Sequence, residues 1–139
     1  MFEPKYEKRL ASWAEFREKL ETDEEPFRCL LDKYKEAPSV SLNADPWDKT
    51  TWPNPWELIH LNEYCYFTSV LGYCYSLQLT ERFKDSDFEI HIFVDDNKGY
   101  VYMLSVDDLF LGYNHDACKR EDLPNNLKPH QTYPMPALQ

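Results

Sequence analysis

The chain opens on a helical rhythm: Tyr6, Leu10, Trp13, Phe16 and Leu20 recur three or four residues apart, with Glu, Lys and Arg between them. That period gathers the apolar side chains on one stripe and leaves the other side solvated, predicting a helix of about four turns. Thr22 followed by Glu25 has the form of a capping box, Pro26 suits an early helical position, and Phe27, Leu30, Leu31 and Tyr34 form the next stripe. A second, shorter helix is expected there, ending near Ala37 and Pro38.

Residues 39–55, SVSLNADPWDKTTWPNP, are rich in turn formers and read as a loop packed on the surface, carrying Trp47 and Trp52. Residues 56–83 are free of proline and hold apolar groups at 58, 61, 67, 70, 71, 74, 77 and 79. They predict a short helix and then a central buried helix from about Asn62 to Phe83. Gly72 inside that helix costs about 1 kcal/mol relative to alanine, and close packing against the following hairpin is the expected compensation.

The period then changes from helical to alternating. Phe88, Ile90, Ile92 and Val94 alternate with Glu89, His91 and Phe93, the turn residues Asp95-Asp96-Asn97-Lys98-Gly99 follow, and YVYMLSV continues. This is a β-hairpin. A third short strand is expected at Leu109 to Tyr113, while Pro124, Pro129, Pro134 and Pro136 keep the tail out of any central strand or helix.

All ten prolines lie at or before Pro55 or at or after Pro124, and the three glycines fall at 72, 99 and 112. The punctuation divides the chain into an N-terminal helical arm (1–38), a Trp/Pro-rich loop (39–55), an α+β core (56–123) and a Pro-rich tail (124–139), one domain in all. The fold class expected is α+β: N-terminal helices, and a central cysteine-bearing helix packed on a small antiparallel sheet of about three strands.

Composition narrows the function classes. With 42% apolar and 16% aromatic residues among 139, the chain is expected to fold as one domain. Its 25 acidic against 15 basic side chains, a net charge of −10, oppose binding to phosphate backbones or anionic lipid, so neither nucleic acid nor membrane is an expected partner. No apolar run reaches the roughly 20 residues of a membrane span, and the first residues lack the basic-then-apolar layout of a secretory signal. A cytoplasmic location follows as an expectation.

Cys29, Cys65, Cys74 and Cys118 match neither a zinc pattern nor a dense disulfide framework and read as free thiols. His60, His115 and His130 show no ligand spacing, so no metal and no cofactor are expected.

One constellation has the residue types of cysteine catalysis. With Asn62 as N-cap, Cys65 stands at the third helical position, where free N–H groups and the helix dipole favour a thiolate. His91, on a strand packed against that helix, is of the right type to take the thiol proton, and Asp107 at the end of the next strand to orient the imidazole. Cys65 equally fits as a small buried hydrophobe, His91 as a hydrogen-bonded histidine, and Asp107 as the end of a strand.

This order of cysteine helix, histidine strand and aspartate strand resembles the core of the transglutaminase-like family of the papain-like fold, over roughly Pro53 to Asp108. The resemblance implies Cys65 as nucleophile, His91 as base and Asp107 as orienting carboxylate. The chain departs from the family's pattern at three positions. Tyr64 precedes the cysteine where a small residue is usual, Phe67 replaces an acidic residue, and Phe93 replaces a tryptophan. Because Tyr64 crowds the approach to the thiol, the implied core is catalytically degenerate.

The wording of DPWDKTTWPNPWELI and LQLTERFKDSDFEIHI is also similar to that of small proteins of T4-like cyanophages. That likeness implies a structural subunit of a tailed-phage virion, in the neck, connector or tail region. Its partners would be other protein subunits, and it would pass from host cytoplasm into the particle. Two alternatives stand beside it: a cysteine-dependent amidase or acyl transferase using Cys65, His91 and Asp107, and a binding module that offers Trp47 and Trp52 to a partner.

Overall fold

A computed structural model of the chain describes residues 1–97 and 99–138. Among these the chain forms four α-helices and a five-stranded antiparallel sheet, an α+β arrangement.

Helix α1, Tyr6–Thr22, buries Arg9, Trp13, Phe16 and Leu20 along one stripe. Arg9 is in phase with the apolar positions and reaches the interior, where its guanidinium donates to the carbonyl oxygens of Glu3, Pro4, Ile59 and His60. Helix α2, Pro26–Tyr34, starts at the expected proline, but the expected capping box does not form. Thr22 is the last residue of α1, and Asp23 Oδ1 instead accepts the Glu25 N–H at 2.8 Å. An aspartate in the turn offers a shorter path to that amide than a threonine still inside a helix.

Helix α3, Pro55–Leu61, carries a complete capping box of Asn54 and Glu57. Asn62, expected to begin the central helix, closes α3 instead, in the left-handed conformation at φ 52°. Asparagine tolerates that conformation, so it serves either helix end. Helix α4, Tyr66–Gln78, therefore starts four residues later and stops short of Phe83. It is buried on nearly every side from Phe67 onward, between α1, α2 and α3 on one side and the sheet on the other. Gly72 meets Tyr34 of α2 and not the hairpin.

Strands β1 (Phe88–Asp95), β2 (Gly99–Val106), β3 (Leu109–Tyr113), β4 (Asp116–Lys119) and β5 (Leu127–Met135) lie in the order β4-β3-β2-β1-β5. The hairpin and third strand stand where alternation predicts them. Lys98 of the expected turn and Gln139 of the expected tail lie outside the described residues. Where three strands are expected there are five, because β4 is short and β5 contains prolines. The sheet tolerates Pro129 and Pro134 because β5 is an edge strand, with one side free of partners.

Residues 1–38 and 124–138 consequently pack into the domain and are not arms. α1 and α2 supply Trp13, Leu20, Leu30 and Leu31 to the main core, and β5 pairs with β1 along its length.

The two faces of the sheet have different neighbours. Phe88, Ile90, Leu104, Val106 and Leu111 face the helices, whereas Phe93, Val101, Met103, Phe110 and Leu127 form a second cluster on the far face. Since β4 and β5 are opposite edges, residues 120–126 cross the sheet to join them. They cross on the far face, where Leu123 packs on the second cluster and the Arg120 guanidinium lies 5.9 Å from the centre of the Phe110 ring.

Candidate functional site

Cys65 is the N-cap of α4, so its side chain stands at the helix mouth and not inside the first turn. The Thr68 N–H donates to Cys65 Sγ at 3.4 Å, and Thr68 Oγ1 accepts the Cys65 N–H at 2.8 Å, a reciprocal cap built from cysteine and threonine. Burial pushes this thiol up. Hydrogen bonds from the Thr68 side chain and from the backbone N–H groups of Asn43, Thr68 and Phe67 outweigh that effect and hold it below its ordinary value. The other thiols move the opposite way, each raised chiefly by burial: Cys29, Cys118 and, furthest, Cys74.

The structure does not bring His91 and Asp107 to this thiol. His91 pairs with Met103 in register, on the far face of the sheet, while its neighbour Ile90 faces the helices. Its Nε2 shares a hydrogen bond with Ser105 Oγ at 2.8 Å and its Nδ1 one with Thr132 Oγ1 at 3.2 Å, and its ring packs 4.8 Å from that of Phe110. It thus ties β1 to both neighbouring strands. Burial and the nearby Arg120 charge push this imidazole down to about 4.

Asp107 sits in the β2–β3 turn at φ 53° and exchanges two hydrogen bonds with Asp87, its N–H donating to the Asp87 carbonyl and its Oδ1 accepting the Asp87 N–H. It fastens the turn to the start of β1 and makes no hydrogen bond with His91.

The residue that β2 turns toward Cys65 is Tyr102. Its ring lies 5.3 Å from Phe67 and 4.9 Å from Tyr66, and its hydroxyl is raised by burial first and then by the cysteine itself. A phenol raised in this way is a poor acceptor for a thiol proton near neutral pH. Alkylation followed against pH is therefore expected to give Cys65 a lower midpoint than Cys29, Cys74 or Cys118. His91→Phe should leave that midpoint in place and Thr68→Val should raise it. A midpoint that moved with His91 would mean that imidazole and thiol share one side of the sheet.

The two tryptophans of the 39–55 loop separate. Trp52 is wedged between Phe67 and Tyr133, each 5.0 Å away, with its Nε1–H donating to the Asp45 carbonyl and Lys49 Nζ 5.9 Å above its ring. It belongs to the body of the domain. Trp47 is 41% exposed and packs edge-to-face on Tyr100, itself 49% exposed, at 5.4 Å and on His130 at 5.1 Å.

The exposed rings continue along the sheet. Tyr100 and Tyr102 are two apart on β2 and share a face, and Tyr102 leads to Tyr66, which is 49% exposed. A surface of Trp47, Tyr100, His130, Tyr102 and Tyr66 results. Tyr100 and Tyr102 have a sequence signal in the alternation of YVYMLSV. His130 has none, because it enters through a strand that its prolines disguise.

Fold and surface together define an α+β domain with an exposed aromatic face, in which Cys65, His91 and Asp107 do not assemble. Comparison with protein-family models, with curated proteins and with solved structures finds no match. Among the described residues no helix is long and apolar enough to cross a membrane.

Proposed function

We propose that this chain is a structural subunit of a tailed-phage virion, in its neck, connector or tail region. In this reading it is built on a transglutaminase-like core that has lost catalysis, and it docks on neighbouring protein subunits. The observation that carries the reading is the aromatic face. Half-exposed tryptophan and tyrosine rings, held in place by one another and by the sheet beneath, provide large rigid contact area at little entropic cost, the kind of surface that anchors protein interfaces.

A catalytically silent core is supported by His91 and Asp107, whose hydrogen bonds are spent on Ser105, Thr132 and Asp87. The alternative of a cysteine amidase or acyl transferase keeps the lowered Cys65 thiol in its favour. Its assigned base, His91, stands across the sheet from that thiol, and the imidazole that lines a cavity with Cys65 is that of His115.

The test is sedimentation of particles from infected cells on a density gradient. The wild-type chain is expected to travel with intact virions and a Trp47→Ala chain to remain in the soluble fractions. A wild-type chain that stays soluble overturns the virion reading, and a Trp47→Ala chain that still travels with the particle overturns the role of the aromatic face.

A further inference from the structure

We infer that the Trp47–Tyr100–His130 face receives an arginine-bearing segment of a partner protein, with a guanidinium seated against the exposed rings. This rests on the reading of the chain as a docking subunit and names the chemistry of what docks.

The ring geometry excludes one class of occupant. Trp47 and Tyr100 meet at 74° and Trp47 and His130 at 89°, so the rings make a notched surface and not the coplanar strip on which sugar rings or bases lie in succession. A notch of ring faces and edges instead suits one side chain at a time.

Charge then selects among side chains. The chain carries −10 overall, so a second copy of itself or any polyanion is repelled at approach, whereas a basic segment is attracted. Asp45 accepts the Trp47 N–H at 2.9 Å, Asp48 follows in the same loop, and Asp96 lies in the turn before Tyr100. Lys128 stands across β1 from Tyr100, and Lys49 follows Asp48 in the loop. Lys49 is already engaged over Trp52 and Tyr133, at 5.9 and 5.8 Å, so the adjoining aromatic pair holds an ammonium in the way proposed for the exposed one. Aromatic faces carry negative quadrupole charge and attract cations. Arginine has the advantage over lysine because its flat, weakly hydrated guanidinium stacks on rings as well as being drawn to the carboxylates.

The probe is a capped Gly-Arg repeat peptide, compared with the same peptide in which citrulline, a neutral isostere, replaces arginine. Binding to the full chain is read by calorimetry. The arginine peptide is expected to bind and the citrulline peptide to bind at least about fivefold more weakly, in line with one cation–π contact and its nearby carboxylates. Trp47→Ala and Tyr100→Ser are each expected to lower the arginine affinity by a similar factor. Trp56→Ala, which removes a tryptophan 49% exposed elsewhere, should leave it unchanged. Circular dichroism of each variant establishes that it is folded, and two face variants guard against the failure of one.

Equal binding of the two peptides, no binding of either, or arginine affinity that survives both face variants overturns the proposal. Loss of Trp47→Ala from the particle together with equal peptide binding keeps the docking face and removes its preference for cations. Retention of that variant in the particle together with arginine-selective binding removes the docking reading instead.

Discussion

Gly72→Ala is expected to destabilise the protein by about 3 kcal/mol in urea unfolding, against the gain of about 1 kcal/mol that helix propensity alone would give. A Cβ on Gly72 would fall 2.5 Å from Cε1 and 2.7 Å from the hydroxyl oxygen of Tyr34. That phenol cannot swing aside. It is buried, its hydroxyl shares a hydrogen bond with Ser76 Oγ at 3.1 Å, and Ser76 Oγ also accepts the Trp13 Nε1–H at 3.0 Å. Phe2, Tyr64 and Tyr73 surround the ring at centroid distances of 5.8, 5.7 and 5.2 Å. Making room for one methyl group therefore means moving α2 away from α4 or breaking the bridge to α1. In a Tyr34→Ala background the space is open, and the same substitution should become neutral or mildly stabilising. A Gly72→Ala protein more stable than wild type would mean that α2 and α4 pack less closely than 2.5 Å implies.

Acid is expected to weaken the fold through His91. In the unfolded chain an imidazole takes its proton near 6.5, and in the folded protein only near 4. The unfolded state thus binds the proton first as pH falls, so the stabilisation is complete above pH 6.5, declines through the window down to 4, and is absent below it. At about 1.4 kcal/mol per pH unit the loss attributable to this residue is about 3 kcal/mol. The causes are structural: burial between the crossing segment and the sheet, with the Arg120 charge nearby. His91→Phe keeps a ring against Phe93 and Phe110 but has nothing to protonate. It should be less stable at neutral pH, where the Ser105 and Thr132 hydroxyls lose their partner, and should shed less stability than wild type between pH 6.5 and 4. Parallel decline of the two proteins across that window would show that His91 does not stay neutral in the folded state.

His91 also illustrates what was legible in the chain. The alternation that marked β1 already placed Phe88, Ile90 and Ile92 on one face and His91 on the other. Once the apolar set packs on the helices, the imidazole has to face away from Cys65. What alternation leaves open is whether the second face is solvent or another layer. Here it is covered by Leu123 and Arg120 of a connection whose path follows from β4 and β5 taking opposite edges. An imidazole expected near a thiol became a buried clasp between strands.

The aromatic face was legible in part. Trp47 lies in a loop whose turn residues announced an ordered surface segment, but its exposure depends on where Tyr100 and His130 stand, and those come from two different strands. Trp52 has the same composition around it and ends up wedged against the core. No local pattern separates the two.

The sequence by itself determined the elements whose information is local, the stripe of α1, the alternation and turn of β1 and β2 and the span of β3, together with the net charge of −10. Helical and strand periods are written in neighbouring residues, and charge is a sum over all of them. Tertiary structure alone decided which helix end Asn62 would cap, that a proline-bearing tail would become β5, and which polar groups would meet. These outcomes depend on pairing between residues far apart in the chain: β5 exists because β1 offers it a free edge, and His91, Asp107 and Cys65 part company because the sheet lies between the first and the last, while a turn at its margin holds the second.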